Sequence, residues 1–175
     1  MFIPNLDQSY FELFDFEESF ALDESFLERR FRELQNDFHP DRFARGTDRQ
    51  KRASVQFSSF LNQAYQTLKN KLPRALYLLE VKGIEVDLYA RQHIDPDFLM
   101  GQIAMREELE SIAGNEVKLE QFVARVRAEY QLVVTVTASY FEQQKWEKAA
   151  VETVKLQFLD KLRFEAEELE AELDY

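Results

Sequence analysis

Apolar residues recur along the chain at helical spacing, and the polar residues between them mark where each run begins and ends. Asp23 is placed to cap a helix in which Leu27, Phe31, Leu34 and Phe38 fall at i, i+4, i+7 and i+11, with Leu22 and Leu27 in the positions of a hydrophobic staple. Pro40 disfavours helical geometry at His39, so this helix is predicted to stop at Phe38. Thr47-Asp48-Arg49-Gln50 is a capping box, and the helix it opens runs to Lys69 with Ala53, Phe57, Phe60, Leu61, Ala64 and Leu68 on its inner side. Helices joined by so short a connection pair antiparallel. A short segment, Ser9 to Phe14, precedes the pair; a helix starting at Pro73 and stopped by Gly83 follows it.

From Ile84 to Ile94 the periodicity is lost, which marks a linker or a docked connection. A new helix opens with Asp95 as cap and Pro96 in its first turn. A second runs from Glu116 to Phe141. Its stretch LVVTVT has strand composition, but Leu119, Phe122, Val126, Tyr130, Val133, Thr137 and Tyr140 keep the helical period on both sides, so length and continuity predict helix. A third runs from Gln144 to Leu173 and carries Trp146, Val154, Phe158, Leu162, Leu169 and Leu173. Three such helices close a small bundle. The pattern therefore predicts an all-α protein in two parts.

Composition narrows the functional classes. Only 4 Gly and 4 Pro stand against 45% apolar residues in 175, which fits a helical chain. Zero cysteines exclude a disulfide framework, a thiolate-held iron–sulfur cluster and a cysteine zinc site. No apolar run approaches the roughly 18 residues of a membrane span, and the first twenty residues are acidic where a signal or transit peptide is basic, so a cytoplasmic protein of bacterial type is expected.

The net charge of -11 is unevenly spread: residues 76–175 carry nearly all the excess, and no Lys or Arg occurs before Arg29. Arg29, Arg30, Arg32, Arg42, Arg45, Arg49, Lys51 and Arg52 then crowd into one segment against five acids. An acidic chain with one basic segment repels nucleic acid over most of its surface and suits an acidic protein partner better.

The candidate chemistry sits between the arginine clusters, at His39, Pro40 and Asp41. A histidine beside an aspartate suggests acid–base catalysis, but no nucleophile elbow or Gly-rich loop accompanies it. A metal site would have only His93 and carboxylates to complete it, at no recognisable ligand spacing. What remains is either a solvated turn or a stiffened recognition loop. The basic amphipathic helix, its abrupt stop, the basic loop and the capped antiparallel partner favour the second.

The first helix of the bundle raises a separate question. At about 100° per residue, Phe98, Met105, Leu109 and Ile112 fall on one stripe, while Leu99, Met100, Ile103, Glu107 and Glu110 fall on the opposite side. A helix apolar on two faces must cover the second with something. The occupant is either the N-terminal part or a twin subunit, or else a separate partner. The flanking acids and an adaptable methionine favour the partner.

FHPDRF between such helices resembles the J-domain, whose His-Pro-Asp loop engages DnaK-type chaperones. The wider set FRELQNDFHPDRF, LNQAYQTLKN, RALYLLEVKGIEV, DFLMGQIAMREELE and FLDKL is similar to the HscB family, J-proteins of iron–sulfur cluster biogenesis, over nearly the whole chain. The Gly/Phe-rich stretch and cysteine zinc domain of general DnaJ proteins are absent from the sequence. The resemblance implies an all-α fold with an N-terminal J-domain (antiparallel helix pair with HPD loop) over residues 1–83, a linker at 84–94 and a three-helix scaffold-binding bundle at 95–175. It implies chaperone contacts through His39, Pro40 and Asp41, with Arg29, Arg30 and Arg32 on the preceding helix. It also implies binding of the scaffold protein IscU through Leu99, Met100, Ile103, Glu107 and Phe158, delivery to the specialised chaperone HscA and stimulation of HscA's ATP hydrolysis. The alternative is a J-domain co-chaperone of a different DnaK-type chaperone with another client. Neither implies enzymatic chemistry, a cofactor, nucleic acid or a membrane.

There are departures from the family pattern. Positions often acidic in the family are Ala104 and Ser111, Ile103 replaces a common leucine, and the usual PLxRA reads KLPRA, which moves only the helix start. Phe158 lies mid-helix, where an aromatic is more often core.

Overall fold

The computed structural model describes residues 6–44, 46–86, 90, 93–112 and 114–173. Its elements are α1 (Tyr10–Leu13), α2 (Glu24–Phe38), a 3-10 turn (Pro40–Phe43), α3 (Asp48–Lys69), α4 (Lys71–Val81), α5 (Pro96–Ser111), α6 (Glu116–Glu142) and α7 (Trp146–Leu173). They fall into two compact units, residues 1–78 and 79–175. Of the expected linker, residues 87–89, 91 and 92 lie outside the described set, as does Arg45.

In the N-terminal unit α2 and α3 run antiparallel, because the contacts between them step in opposite directions. Phe38 meets Phe57 edge-on with ring centroids 4.6 Å apart, and Phe31 stacks on Tyr65 at 4.0 Å. Of the predicted apolar stripe on α2 only Leu27 is fully buried; Phe31, Leu34 and Phe38 are half-buried. On α3, Ala53 and Phe60 are likewise half-buried, while Ser54 and Tyr65 join the buried side. Ser54 is tolerated there because its hydroxyl donates to the Lys51 carbonyl at 2.8 Å. α1 is one turn long, and a capping box between Ser9 and Glu12 holds it. Its Phe11, with the following Phe14, is fully buried, and the Tyr77 hydroxyl accepts from the Tyr10 amide at 2.9 Å.

One polar group is at the centre of this unit. The Arg74 side chain is fully buried and donates to the carbonyls of Leu68 (2.5 Å), Phe20 (2.8 Å) and Lys69 (3.3 Å), with Glu24 at 3.5 Å. Leu68 and Lys69 end α3, so the guanidinium satisfies carbonyls that the helix itself leaves open and sits where the helix dipole favours a cation. Burial lowers the Arg74 pKa from its ordinary value and Glu24 pulls it back. Arginine starts high enough to remain charged. α4 begins at Lys71 rather than Pro73, which places the proline within the first turn, where a missing N–H costs nothing. It ends as predicted: Gly83 takes φ 72° and the Ile84 amide reaches back to the Leu79 carbonyl at 2.9 Å.

The C-terminal unit packs α5, α6 and α7 around Leu109, Phe122, Val126, Leu162 and Ala166, with Met105 and Leu169 against them. The LVVTVT stretch is helical within α6. Valine and threonine cost roughly 0.5 kcal/mol each in helix propensity relative to alanine, less than burying Val134 alone returns. The hydroxyls of Thr135 and Thr137 donate to carbonyls four residues back. Ion pairs cross each helix interface: Arg106 to Glu165, Arg125 to Glu108 and Arg127 to Glu167. Exposed pairs contribute about 0–1 kcal/mol each, so they adjust register rather than drive packing. α7 starts at Trp146, not Gln144, because Gln144 takes the left-handed conformation (φ 55°) that closes α6. The Leu173 side chain lies outside the described residues.

Replacing Arg74 by methionine keeps the stem but strands several carbonyls, and buried unmet acceptors cost about 1–3 kcal/mol each. The thermal midpoint of the N-terminal unit is expected to fall by about 10 °C or more by calorimetry. Glu24→Gln, at the exposed edge of the same network, should shift it far less. A methionine variant melting with the wild type would refute the central role of Arg74.

Candidate functional site

The loop after α2 is built by local chemistry. His39 is extended (φ -57°, ψ 132°), as a residue before proline prefers, and Pro40 opens a single 3-10 turn. The turn is closed by the Arg42 amide on the His39 carbonyl (3.0 Å) and the Ala44 amide on the Asp41 carbonyl (3.2 Å). His39 Nδ1 accepts weakly from the Asp41 amide at 3.3 Å, which fixes the imidazole against the turn. The Asp41 side chain is 90% exposed and the His39 side chain 52%. The Asp41 carboxylate lies 3.6 Å from His39 Nδ1, and both side chains remain open to solvent.

Arg42 supports this geometry and was not singled out from the sequence. Its guanidinium donates to the Asn36 carbonyl at 3.1 Å, in the last turn of α2, and pairs with Asp37 at 3.5 Å. A basic residue just past a helix end is the signal that could have found it. On the far side the Thr47–Gln50 capping box starts α3, with the Thr47 amide on Gln50 Oε1 at 2.8 Å. Gly46 fits closely between them: a Cβ there would meet Gln50 Oε1 at 2.8 Å and the Phe43 carbonyl oxygen at 3.1 Å, so a larger residue would displace the Gln50 side chain from the capping box.

The arginines of α2 are not equivalent. Arg30 is half-buried and held by Glu33 at 2.7 Å and by Asp15. The Glu33 hydrogen bond, with Asp15 beside it, raises its pKa from the ordinary value. Arg32 is exposed and, among the described residues, pairs along its own helix with Glu28. Arg29 is exposed, lying 5.0 Å over the Phe26 ring. Arg29 and Arg32 thus have charge to offer a partner, while Arg30 is committed within the fold.

In the C-terminal unit the second face of α5 is open. Met100 is 65% exposed and Ile103 55%, Leu99 is half-buried, and Glu107 is exposed. Phe158, on α7, is 42% exposed and packs edge-on against Phe98 at 6.2 Å, whereas its neighbour Leu159 is fully buried. Phe158 is therefore a surface aromatic. Leu99, Ile103, Glu107 and Phe158 line one groove of about 480 Å³ between α5 and α7. Met100 stands beside it on α5 without lining it. Ala104 is exposed, and Ser111 donates to the Glu108 carbonyl at 2.7 Å, so neither replaces the missing carboxylates. Lys161, one turn from Phe158, borders the groove and was overlooked because a lysine on a helix reads as solvated surface.

Among the described residues no group of three or more His, Asp or Glu is arranged to hold a metal, and no helix is long and apolar enough to cross a membrane.

Comparison with known proteins agrees with this layout. The family model described as the HSCB C-terminal oligomerisation domain matches residues 94–167. The solved structure of chaperone HscB from Vibrio cholerae is similar at 41% identity and a TM-score of 0.84, over 95% of this chain and 99% of that one. Human co-chaperone HscB is similar at 29% identity and a TM-score of 0.86, over 94% of this chain and 83% of that one. The Jac1 co-chaperone from Saccharomyces cerevisiae, at 22% identity and a TM-score of 0.76 over 94% of this chain and 95% of that one, shares the fold. An N-terminal J-domain carrying an exposed His-Pro-Asp turn, a C-terminal helical bundle and 41% identity over nearly the full length place this chain in the HscB family of J-domain co-chaperones of iron–sulfur cluster assembly.

Proposed function

We propose that this chain binds the iron–sulfur scaffold IscU on the open face of α5 and α7, presents it to the DnaK-type chaperone HscA, and stimulates HscA's ATP hydrolysis through His39, Pro40 and Asp41, in the cytoplasm. The observation that carries the reading is the exposure of both sets of residues: a polar loop of fixed shape on one unit and an uncovered apolar face on the other.

Each set suits its task physically. The Asp41 carboxylate is presented to accept charge-assisted hydrogen bonds from a partner arginine, and Pro40 lowers the ordering cost of docking. Arg29 and Arg32 on α2 attract an acidic chaperone surface and raise the association rate. The groove binds by removing apolar area from water. A scaffold held there is confined near the chaperone that the J-domain engages, which raises its effective concentration without any new contact. The chain itself makes and breaks no bonds in this scheme.

Asp41→Asn or His39→Gln is expected to abolish stimulation in a steady-state HscA ATPase assay while IscU binding and the melting temperature stay unchanged. Truncating one member of a desolvated charge pair costs about 2–5 kcal/mol, enough to remove the effect at working concentrations. Wild-type stimulation by the Asn variant would sink the proposal.

The docking role of α2 is tested by salt. Half-maximal stimulation should require more co-chaperone as ionic strength rises, and the double variant Arg29→Ala, Arg32→Ala should behave like wild type in high salt. Arg30→Ala should instead lower the melting temperature, since its partners are internal. Salt-independent stimulation would argue against charge-driven docking.

The face of α5 is tested by converting Leu99, Met100 and Ile103 together to alanine. Burying each is worth roughly 1.5–3 kcal/mol, so IscU affinity should fall by more than a hundredfold. Met100 and Ile103 are exposed, so the bundle should melt close to wild type by calorimetry. A destabilised variant that still binds IscU would mark the face as an internal seam.

A further inference from the structure

The groove is longer than the residues that the family pattern supplies. It has a second compartment, of about 430 Å³, lined by Ala90, Ile94, Val154 and Gln157. Leu99, Phe158 and Lys161 border both compartments and so mark their junction.

Lys161 differs from the other cations nearby. Arg106 is held by both carboxylate oxygens of Glu165 at 2.7 Å. Lys155 is bound to Glu152 at 2.8 Å and lies 5.6 Å over the Phe98 ring. Lys161 is exposed and has no ion pair among the described residues. Across the groove Glu107 and Glu110 are exposed and, among the described residues, accept no hydrogen bond from a cation, although Glu110 lies near enough to Arg106 to act on its charge. The groove therefore has an apolar floor, a positive point at its middle and negative charge along α5.

We propose that Lys161 is a specificity-determining residue for the scaffold: its ammonium pairs with a carboxylate on the docking segment, whose apolar side chains fill the compartments on either side. The inference rests on the scaffold reading of the groove. Filling both compartments removes water from around the ammonium, and a desolvated charge without a partner is penalised. A segment with apolar side chains but no acid between them is discriminated against, and so is one with a base there. The preferred occupant is thus an amphipathic polypeptide segment with an acidic residue at its centre and basic residues facing Glu107 and Glu110. With a net charge of -11, the chain repels an anionic lipid surface, which removes a membrane as the competing occupant.

The test titrates purified apo-IscU by calorimetry against the wild type and Lys161→Glu, Lys161→Met and Lys161→Arg, with Leu99→Ala and Phe158→Ala alongside. Charge reversal is expected to weaken binding about tenfold or more, methionine to weaken it less and flatten its salt dependence, and arginine to keep it within about twofold, all with unchanged melting temperatures. Unchanged affinity in Lys161→Glu while Leu99→Ala and Phe158→Ala lose binding would overturn this inference and leave the groove standing. Unchanged affinity in every variant would overturn both. A lowered melting temperature in Lys161→Glu would make its role structural. Self-association lost by sedimentation with IscU affinity intact would make the occupant a second copy of the chain.

Discussion

The N-terminal unit depends on one buried charge. Arg74 gathers carbonyls from the end of α3 and from the Phe20 segment, and reaches Glu24 at the start of α2. Without it those acceptors would lie in the interior with no donor, a cost larger than most single apolar contacts. α2 and α3 are tied at this end by Arg74 and by Lys71 on Glu24, a pairing that also holds the Glu24 carboxyl below its ordinary pKa. At the other end Phe38 packs on Phe57, and Arg42 and the Thr47 box close the connection. The loop can be exposed and still keep its shape because both ends of the helix pair are fixed.

What was legible in the sequence follows the range of the interaction responsible. Pro40, the Thr47–Gln50 box and Gly83 act within a few residues, so the helix ends they set could be read directly. The start of α7 could not, because Gln144 adopts a left-handed conformation without being glycine and so delays the helix to Trp146. Arg74 was unreadable for another reason: its Phe20 partner is far away in sequence, and arginine in a helix ordinarily faces water. The open face of α5 was visible as apolar residues on both sides of one helix. Whether Phe158 belonged to it was not, since α7 places apolar residues around much of its circumference and only packing separates Phe158 from Leu159.

The two candidate surfaces rely on different forces, which suits the proposed scheme of holding one partner while touching another briefly. The loop offers His39 and Asp41, with exposed arginine charge on α2 beside it, interactions that form quickly, weaken with salt and carry little apolar area. The groove offers Leu99, Ile103 and Phe158, whose burial is insensitive to salt and slows dissociation. Because they lie on separately packed units, substitutions in one are expected to add to those in the other without coupling through a shared core.

On the proposed reading, charge at the groove then decides what kind of apolar segment is accepted. Ala104 and Ser111 add no charge to α5, and the Ser111 hydroxyl is turned back onto its own helix. The acids that border the groove, Glu107 and Glu110, lie beside Arg106, whose guanidinium is held by Glu165. Fewer acids on α5 weaken long-range attraction of a basic partner, an effect that salt would have screened over about 10 Å in any case. On the proposed reading, discrimination then falls mainly on the final contact of the partner, where a single cation between two apolar compartments has the most effect.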